Sequence, residues 1–207
     1  MRVTFLLAFG LLLSAAAADA DQLIQIPTAD RVSAPRAEYR HRVDGRNEGY
    51  ATLLTPAGPG FEAMFRYYNN EDRSHRIEGG GQFQLLPDGV VTPALAVGMW
   101  DVTNSTPWGR RAFLAITKSF TRFGTSLFTV PAPLERLQFT LGAGTGRLGG
   151  GFAGLRADLP GRLSLIAEFD SRRLNTGISF RPLPPLSLTA ELQNGNPYLG
   201  AQLRASF

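Results

Sequence analysis

The sequence predicts an all-β chain: an antiparallel meander that closes into a transmembrane β-barrel of about 12 strands after a cleaved signal peptide. Three observations carry this reading. Short runs alternate apolar and polar residues with period two, as in FEAMFRYY (61–68), LQFTLGAGT (137–145) and LSLIAEFD (163–170). That period puts successive side chains on opposite faces of a strand, and no segment shows a convincing helical period. Finally, PYLGAQLRASF closes the sequence with Leu199, Ala201, Leu203, Ala205 and Phe207 on one face. A last strand ending in Phe is the form of the sorting signal that barrel-assembly machinery reads, so Phe207 is the expected assembly signal.

Residues 1–20, MRVTFLLAFGLLLSAAAADA, read as a secretory signal peptide. Arg2 precedes an apolar run from Phe5 to Leu13, and Ala18-Asp19-Ala20 is an A-x-A cleavage signal. The apolar core is too short for a spanning helix. Residues 21–35 carry two prolines and are expected as an extended N-terminal segment, either periplasmic or lying in the lumen. The barrel then occupies 36–207. Strands are expected over 37–44, 48–55, 60–69, 76–86, 91–101, 110–119, 137–145, 151–158, 163–170, 175–182, 186–194 and 198–207. Each is bounded by turn formers: Pro56-Ala57-Gly58-Pro59, Pro87-Asp88-Gly89, Pro160-Gly161, Pro182 to Pro185, and Asn194-Gly195-Asn196. Their lengths approach the ~9–11 residues of a strand that crosses a bilayer obliquely. GTSLFTVPAPLER (124–136) fits worst, as a long loop or a further strand.

A soluble β-sandwich alternates as well. Here apolar faces recur on nearly every strand with small and aromatic residues mixed, as a lipid-facing belt would have. The opposite faces carry Arg66, Glu78, Gln82, Gln84, Glu191, Gln202 and Arg204, and the terminal strand tips the reading to a barrel in outer-membrane lipid. The chain has no cysteine, which fits an exported protein held by backbone pairing rather than by disulfides. Net charge is +4, Lys118 is the sole lysine, and the basic residues are otherwise arginines dispersed along the chain. With no basic stripe, nucleic acid is not an expected partner.

Several stretches resemble the YjbH-like family of outer-membrane proteins associated with exopolysaccharide production. They are LIQIPTADR, GFEAMFRYYN, QFQLLPDGVVTPALAVGMWDV, LAITKSF, FTLGAGTGR and AEFDSRRLNTGISFRP. The most specific are PALAVGMWD (93–101), the T-K-S element at 117–119, and E-x-D-x(4)-N-x-G from Glu168 to Gly177. Family members are typically longer, so the chain resembles a single barrel unit of that design. The resemblance implies outer-membrane residence and a supporting part in polysaccharide export or surface retention, with no catalytic residues. A small porin-like channel is a companion expectation; a structural or adhesive barrel and a barrel hydrolase are the alternatives.

Charged and polar residues in these stretches form the candidate site: Asp101, Lys118, Glu168, Asp170, Asn175 and Arg181, with Arg172 and Arg173 beside them. All are expected to face the lumen. Ionisable groups inside a narrow barrel should pair with one another. They form either a network that fills the lumen or a constriction that contacts a polyanionic or sugar ligand. No catalytic residue, cofactor or metal site is expected. The histidines, His41 and His75, make no metal-ligand spacing. Ser74 and His75 are neighbours, so in a strand they point to opposite faces. GAGTGRLGGG (142–151) lacks the Lys-Ser/Thr end of a phosphate loop.

Overall fold

Antiparallel pairing runs unbroken around the barrel, and among the described residues no strand edge is left open. The computed structural model describes residues 23–69, 75–122 and 130–205; the expected signal peptide and the Phe207 signal lie outside them. Twelve strands follow in chain order: β1 (Arg36–Arg42), β2 (Gly49–Gly58), β3 (Phe61–Asn69), β4 (His75–Leu86), β5 (Ala94–Trp100), β6 (Arg111–Thr121), β7 (Arg136–Gly144), β8 (Gly150–Leu159), β9 (Leu163–Phe169), β10 (Leu174–Leu183), β11 (Leu186–Gln193) and β12 (Asn196–Arg204). Each pairs with its sequence neighbours, and β12 pairs antiparallel with β1 from Arg36↔Arg204 to Arg42↔Tyr198, closing the barrel. We call the end where β1 begins and β12 finishes the terminal end, and the other the far end.

The turns take the conformations their residues favour. Asn194 and Gly195 both adopt positive φ, 53° and 79°, the two-residue hairpin geometry that matches strand twist. Within 124–136, the described residues 130–135 add no strand, and β7 begins at Arg136. GAGTGRLGGG spans the β7–β8 connection through a single 3-10 turn, Gly146–Leu148.

Period two decides which way each residue faces. Tyr39, Phe65, Ile77, Leu141, Ile178 and Leu199 all point outward and stand more than half exposed. Such apolar surface recurring around the outer wall is far more than a water-soluble monomer shows, and it is the face lipid requires. Many inward positions are Arg, Glu, Gln, Thr and Ser, interleaved with small residues and a few large apolar ones. Two inward phenylalanines lie over glycines on the neighbouring strand, Phe113 across from Gly98 and Phe152 across from Gly142. A Cβ at Gly98 would sit 2.3 Å from the Phe113 ring, and one at Gly142 would sit 2.1 Å from the Phe152 ring. The glycines thus let aromatic rings lie flat on the wall, a known way of repairing glycine in sheets.

Gly142 supplies a test, because an added methyl there also meets the Leu114 carbonyl oxygen at 2.5 Å. Gly142→Ala should lower barrel stability by about 1–3 kcal/mol, read as the urea midpoint of tryptophan emission in detergent micelles. An unchanged midpoint would show that the Phe152 ring is not seated there.

Candidate functional site

A sheet of twelve strands encloses more space than side chains from its own wall readily fill. Here the chain supplies the filling. Residues 23–35 enter the lumen as an extended strap, and Leu23, Ile24, Ile26, Ala29 and Val32 are almost completely buried. They pack with Leu54, Met64, Ala94, Ala96, Trp100, Phe113, Ala115, Leu148, Phe152 and Ile166 of the barrel into one hydrophobic cluster. Small residues on the wall leave the room. A Cβ at Gly154 would lie 2.1 Å from Leu23 Cδ1 and 2.8 Å from Ile26 Cδ1, and one at Gly177 would lie 3.2 Å from Ile24 Cδ1.

An extended segment with no sheet partner carries backbone donors and acceptors that burial forbids leaving open. The wall satisfies them with side chains. The Glu168 carboxylate on β9 accepts the amide of Gln25 on both oxygens, at 2.7 and 2.9 Å, and that of Ile26 at 3.3 Å. Thr117 Oγ1 on β6 accepts from the Ala29 amide at 2.8 Å, and Glu62 on β3 accepts from the Val32 amide at 2.8 Å. In the other sense, Gln82 and Gln84 of β4 donate to the carbonyls of Asp30 and Ala29 at 3.1 and 3.0 Å. Gln25 donates its side-chain amide to Gln193 at 2.6 Å. The strap therefore crosses from the β9–β11 wall to the β3–β4 wall and leaves at the terminal end. There Ala205 donates its amide to the Pro35 carbonyl at 2.9 Å. A cavity of about 10 Å³ between Pro27, Thr28, Asp30, Glu62 and Gln82 has room for roughly one water.

Ionised groups around the strap are paired, as their low-dielectric surroundings require. Arg40 donates to both oxygens of Glu191 at 2.9 Å and also to Glu38, which in turn meets Arg36 at 2.9 Å. Glu78 receives Arg111 and, at 2.7 Å, the Tyr68 hydroxyl. Arg66 donates to Thr52 at 2.8 Å and stacks 5.1 Å from the Tyr50 ring centroid.

The residues singled out from the sequence separate into four places. Glu168 and Asn175 are in the lumen and touch, with Asn175 Nδ2 donating at 2.9 Å and its Oδ1 accepting from the Asn194 amide at 2.8 Å. Arg181 lies near the terminal end, within electrostatic reach of Arg156 and Asp158 rather than of Glu168. Asp101 and Asp170 sit just past their strands and organise far-end loops. Asp101, at φ 52°, accepts from the Ser105 amide at 2.7 Å and from the Thr106 amide and hydroxyl at 2.8 and 2.6 Å. Burial pushes the Asp101 carboxyl up, but the Thr106 and Ser105 bonds outweigh this and hold it below the usual carboxylate range. Asp170 accepts from the amides of Arg172 at 3.2 Å and Arg173 at 2.9 Å, and both arginine side chains are exposed. The expected lumen position of Lys118 is corrected. Thr117 takes the inward position, so Lys118 points to the outer face. Its ammonium pairs with Asp88 at 2.7 Å and meets the Gly89 carbonyl, in the β4–β5 connection. Of the histidines, His75 is exposed and hydrogen-bonds the Tyr67 hydroxyl at 2.8 Å, and His41 stacks on Tyr39.

Sequence reasoning missed the strap's receptors, Thr117, Glu62, Gln193 and Gly154, and one acid on the strap itself. Asp30 accepts from Gln138 at 2.6 Å and lies 3.8 Å from Arg136. Burial, opposed by the Arg136 charge, pushes its carboxyl up to about 6. The inward glycines Gly154 and Gly177, facing an apolar Leu-Ile-x-Ile segment, were the available signal.

The arrangement is a closed, twelve-stranded antiparallel meander barrel, apolar outside and filled within by its own N-terminal strap. That architecture fits an outer-membrane barrel protein in general. No protein-family model matches the chain, and no curated protein matches it.

Two tests follow from the strap. Glu168→Gln replaces one of the two acceptor oxygens that hold the strap amides with an NH2 donor and should cost about 1–3 kcal/mol. Hydrogen exchange over 23–32 should accelerate, and unaltered protection there would exclude Glu168 as the anchor. The second concerns pH. The Asp30 carboxyl is raised from 3.8 to about 6 in the folded protein, so its contribution is fully present below pH 3.8 and is lost as pH rises through about 6. The loss amounts to at most about 3 kcal/mol. Asp30→Asn should abolish this share: the gap between wild-type and variant stability should change across that window and stay constant above it. A gap independent of pH would mean that Asp30 titrates normally.

Proposed function

We propose that this protein is an outer-membrane barrel that supports exopolysaccharide export or retention at the cell surface, acting as a membrane-held accessory rather than as an open channel. The observation that carries the channel half of this reading is the strap: its apolar side chains are buried at the barrel centre, and wall carboxylates and amides hold its backbone. The polysaccharide half rests on the resemblance to the YjbH-like family. The stretches that bear it meet in one place. LIQIPTADR supplies most of the strap, T-K-S supplies Thr117, and the Glu168–Gly177 pattern supplies Glu168, Asn175 and the space beside Ile24. A segment and its receptors that share a resemblance are matched as a unit. No catalytic step belongs to this reading, since the buried carboxylates serve the strap and the loops.

Two measurements test it. The purified protein in a planar bilayer should be silent, whereas deletion of 23–32, if the barrel still forms, should give a conductance. Steady wild-type conductance would overturn the closed-barrel reading. Cells lacking the protein should release or retain surface polysaccharide differently from wild type, and an unchanged distribution would overturn the polysaccharide reading.

A further inference from the structure

Three adjacent loops at the far end, 101–110, 145–149 and 170–173, carry four arginines and two aspartates. Both carboxylates are committed to holding backbone. Asp101 takes the Ser105 and Thr106 amides, and Asp170 takes those of Arg172 and Arg173. Arg147 ties the loops together: it donates to Asp170 at 3.1 Å, and its guanidinium lies 5.1 Å from the centroid of the Trp108 ring. Trp108 also contacts Tyr68, at 5.7 Å between ring centroids, yet its side of the rim stays open, with the residue 36% exposed. Arg110, Arg172 and Arg173 are exposed as well. The result is an indole ring held between Arg147 and Tyr68 on the same rim as three exposed arginines. Arg110 Nε donates to the Val102 carbonyl at 3.1 Å and Arg173 Nη1 to the Asn194 carbonyl at 3.4 Å, which leaves their other N–H donors, and all of those of the Arg172 side chain, for a partner.

An apolar ring beside guanidiniums matches one ligand chemistry particularly well. A sugar ring presents C–H groups to an aromatic surface, and a carboxylate on that sugar accepts paired N–H donors from arginine. We propose that these three loops form a binding surface for an anionic, carboxylate-bearing polysaccharide. Trp108 contacts the sugar ring, Arg110, Arg172 and Arg173 bind the carboxylates, and Arg147 positions Trp108. The inference rests on the polysaccharide reading above and adds its charge class and its site.

The test uses the full mature chain in detergent micelles, with polygalacturonate as the probe and dextran of equal length as the neutral control. Tryptophan emission reports binding, since Trp100 is buried and Trp108 is exposed. Polygalacturonate should bind and shift the emission, and dextran should bind at least about tenfold more weakly, losing the paired arginine contacts. The double variant Arg172→Gln/Arg173→Gln should weaken binding by about tenfold, near the upper range for two exposed ion contacts. Trp108→Phe should abolish the emission change, and Arg46→Gln on the β1–β2 loop should leave affinity as it is. Native migration of unheated samples checks that each variant is folded. If the double variant does not fold, Arg110→Gln and a salt titration of the wild type replace it: raising NaCl from about 50 to about 500 mM should weaken binding by screening. Dextran binding equal to polygalacturonate, wild-type affinity in the folded loop variants, or indifference to salt would each overturn the site. Failure here with a polysaccharide defect intact in cells removes only the site, and absence of that defect removes the functional reading itself.

Discussion

Everything inside this barrel answers to one constraint, that a buried backbone must find hydrogen-bond partners. The strap has no strand beside it, so its amides and carbonyls depend on side chains, and one carboxylate, Glu168, receives two consecutive amides. A carboxyl group offers two oxygens and so can take both donors at once. It is tolerated in the lumen because the strap and Asn175 surround it with donors. The polar character of the inner wall follows from the same requirement. Thr117, Glu62, Gln82 and Gln84 stand where the strap needs an acceptor or a donor, and arginine–glutamate pairs neutralise the remaining buried charge.

The strap also answers a problem of size. Around eight strands, side chains can fill a barrel, and near sixteen a channel is left. Twelve lies between. Wall residues alone would leave a gap or demand bulk at every inward position, and this wall does the opposite, placing Gly98, Gly142, Gly154, Ala94, Ala96 and Ala115 inward. Small wall residues and a thick apolar strap are complementary halves of one core. Removing bulk from the wall made the room that Leu23 and Ile26 occupy.

The strands and their faces were legible in the sequence because period two and turn chemistry are local. Every expected strand is present, most with ends displaced by one or two residues. The site was legible only where a residue was assigned to the correct face of its strand. Glu168 and Asn175 follow the alternation and face inward. Lys118 shows how a single step matters, since its neighbour Thr117 holds the inward position and the ammonium must turn out. Asp101 and Asp170 fail for another reason. They lie where the strand stops, Asp101 with φ at 52°, so the alternation no longer sets their direction and their carboxylates cap loops. The strap's partners were beyond reach because each contact joins residues far apart in sequence, 143 positions for Gln25 and Glu168. No local pattern encodes such a distance.

A barrel filled this way has its chemistry displaced to its surfaces. The lumen groups are occupied with one another and with the strap, and the outer wall is given over to apolar side chains. What remains available to a water-borne partner is the two rims. They differ in character. At the terminal end, the strap's exit and the Lys118–Asp88 pair bind the connections to the wall. At the far end, Asp101 and Asp170 draw loop amides inward, and Arg110, Arg172 and Arg173 of those loops are left facing out. An acid at the end of a strand does two things at once: it fixes the turn that follows, and it turns its own charge away from solvent. After Asp170, arginines two and three residues later then present a positive rim on a rigid base. The same economy of short loops that closes the hairpins therefore sets the charge that the far end shows to its surroundings.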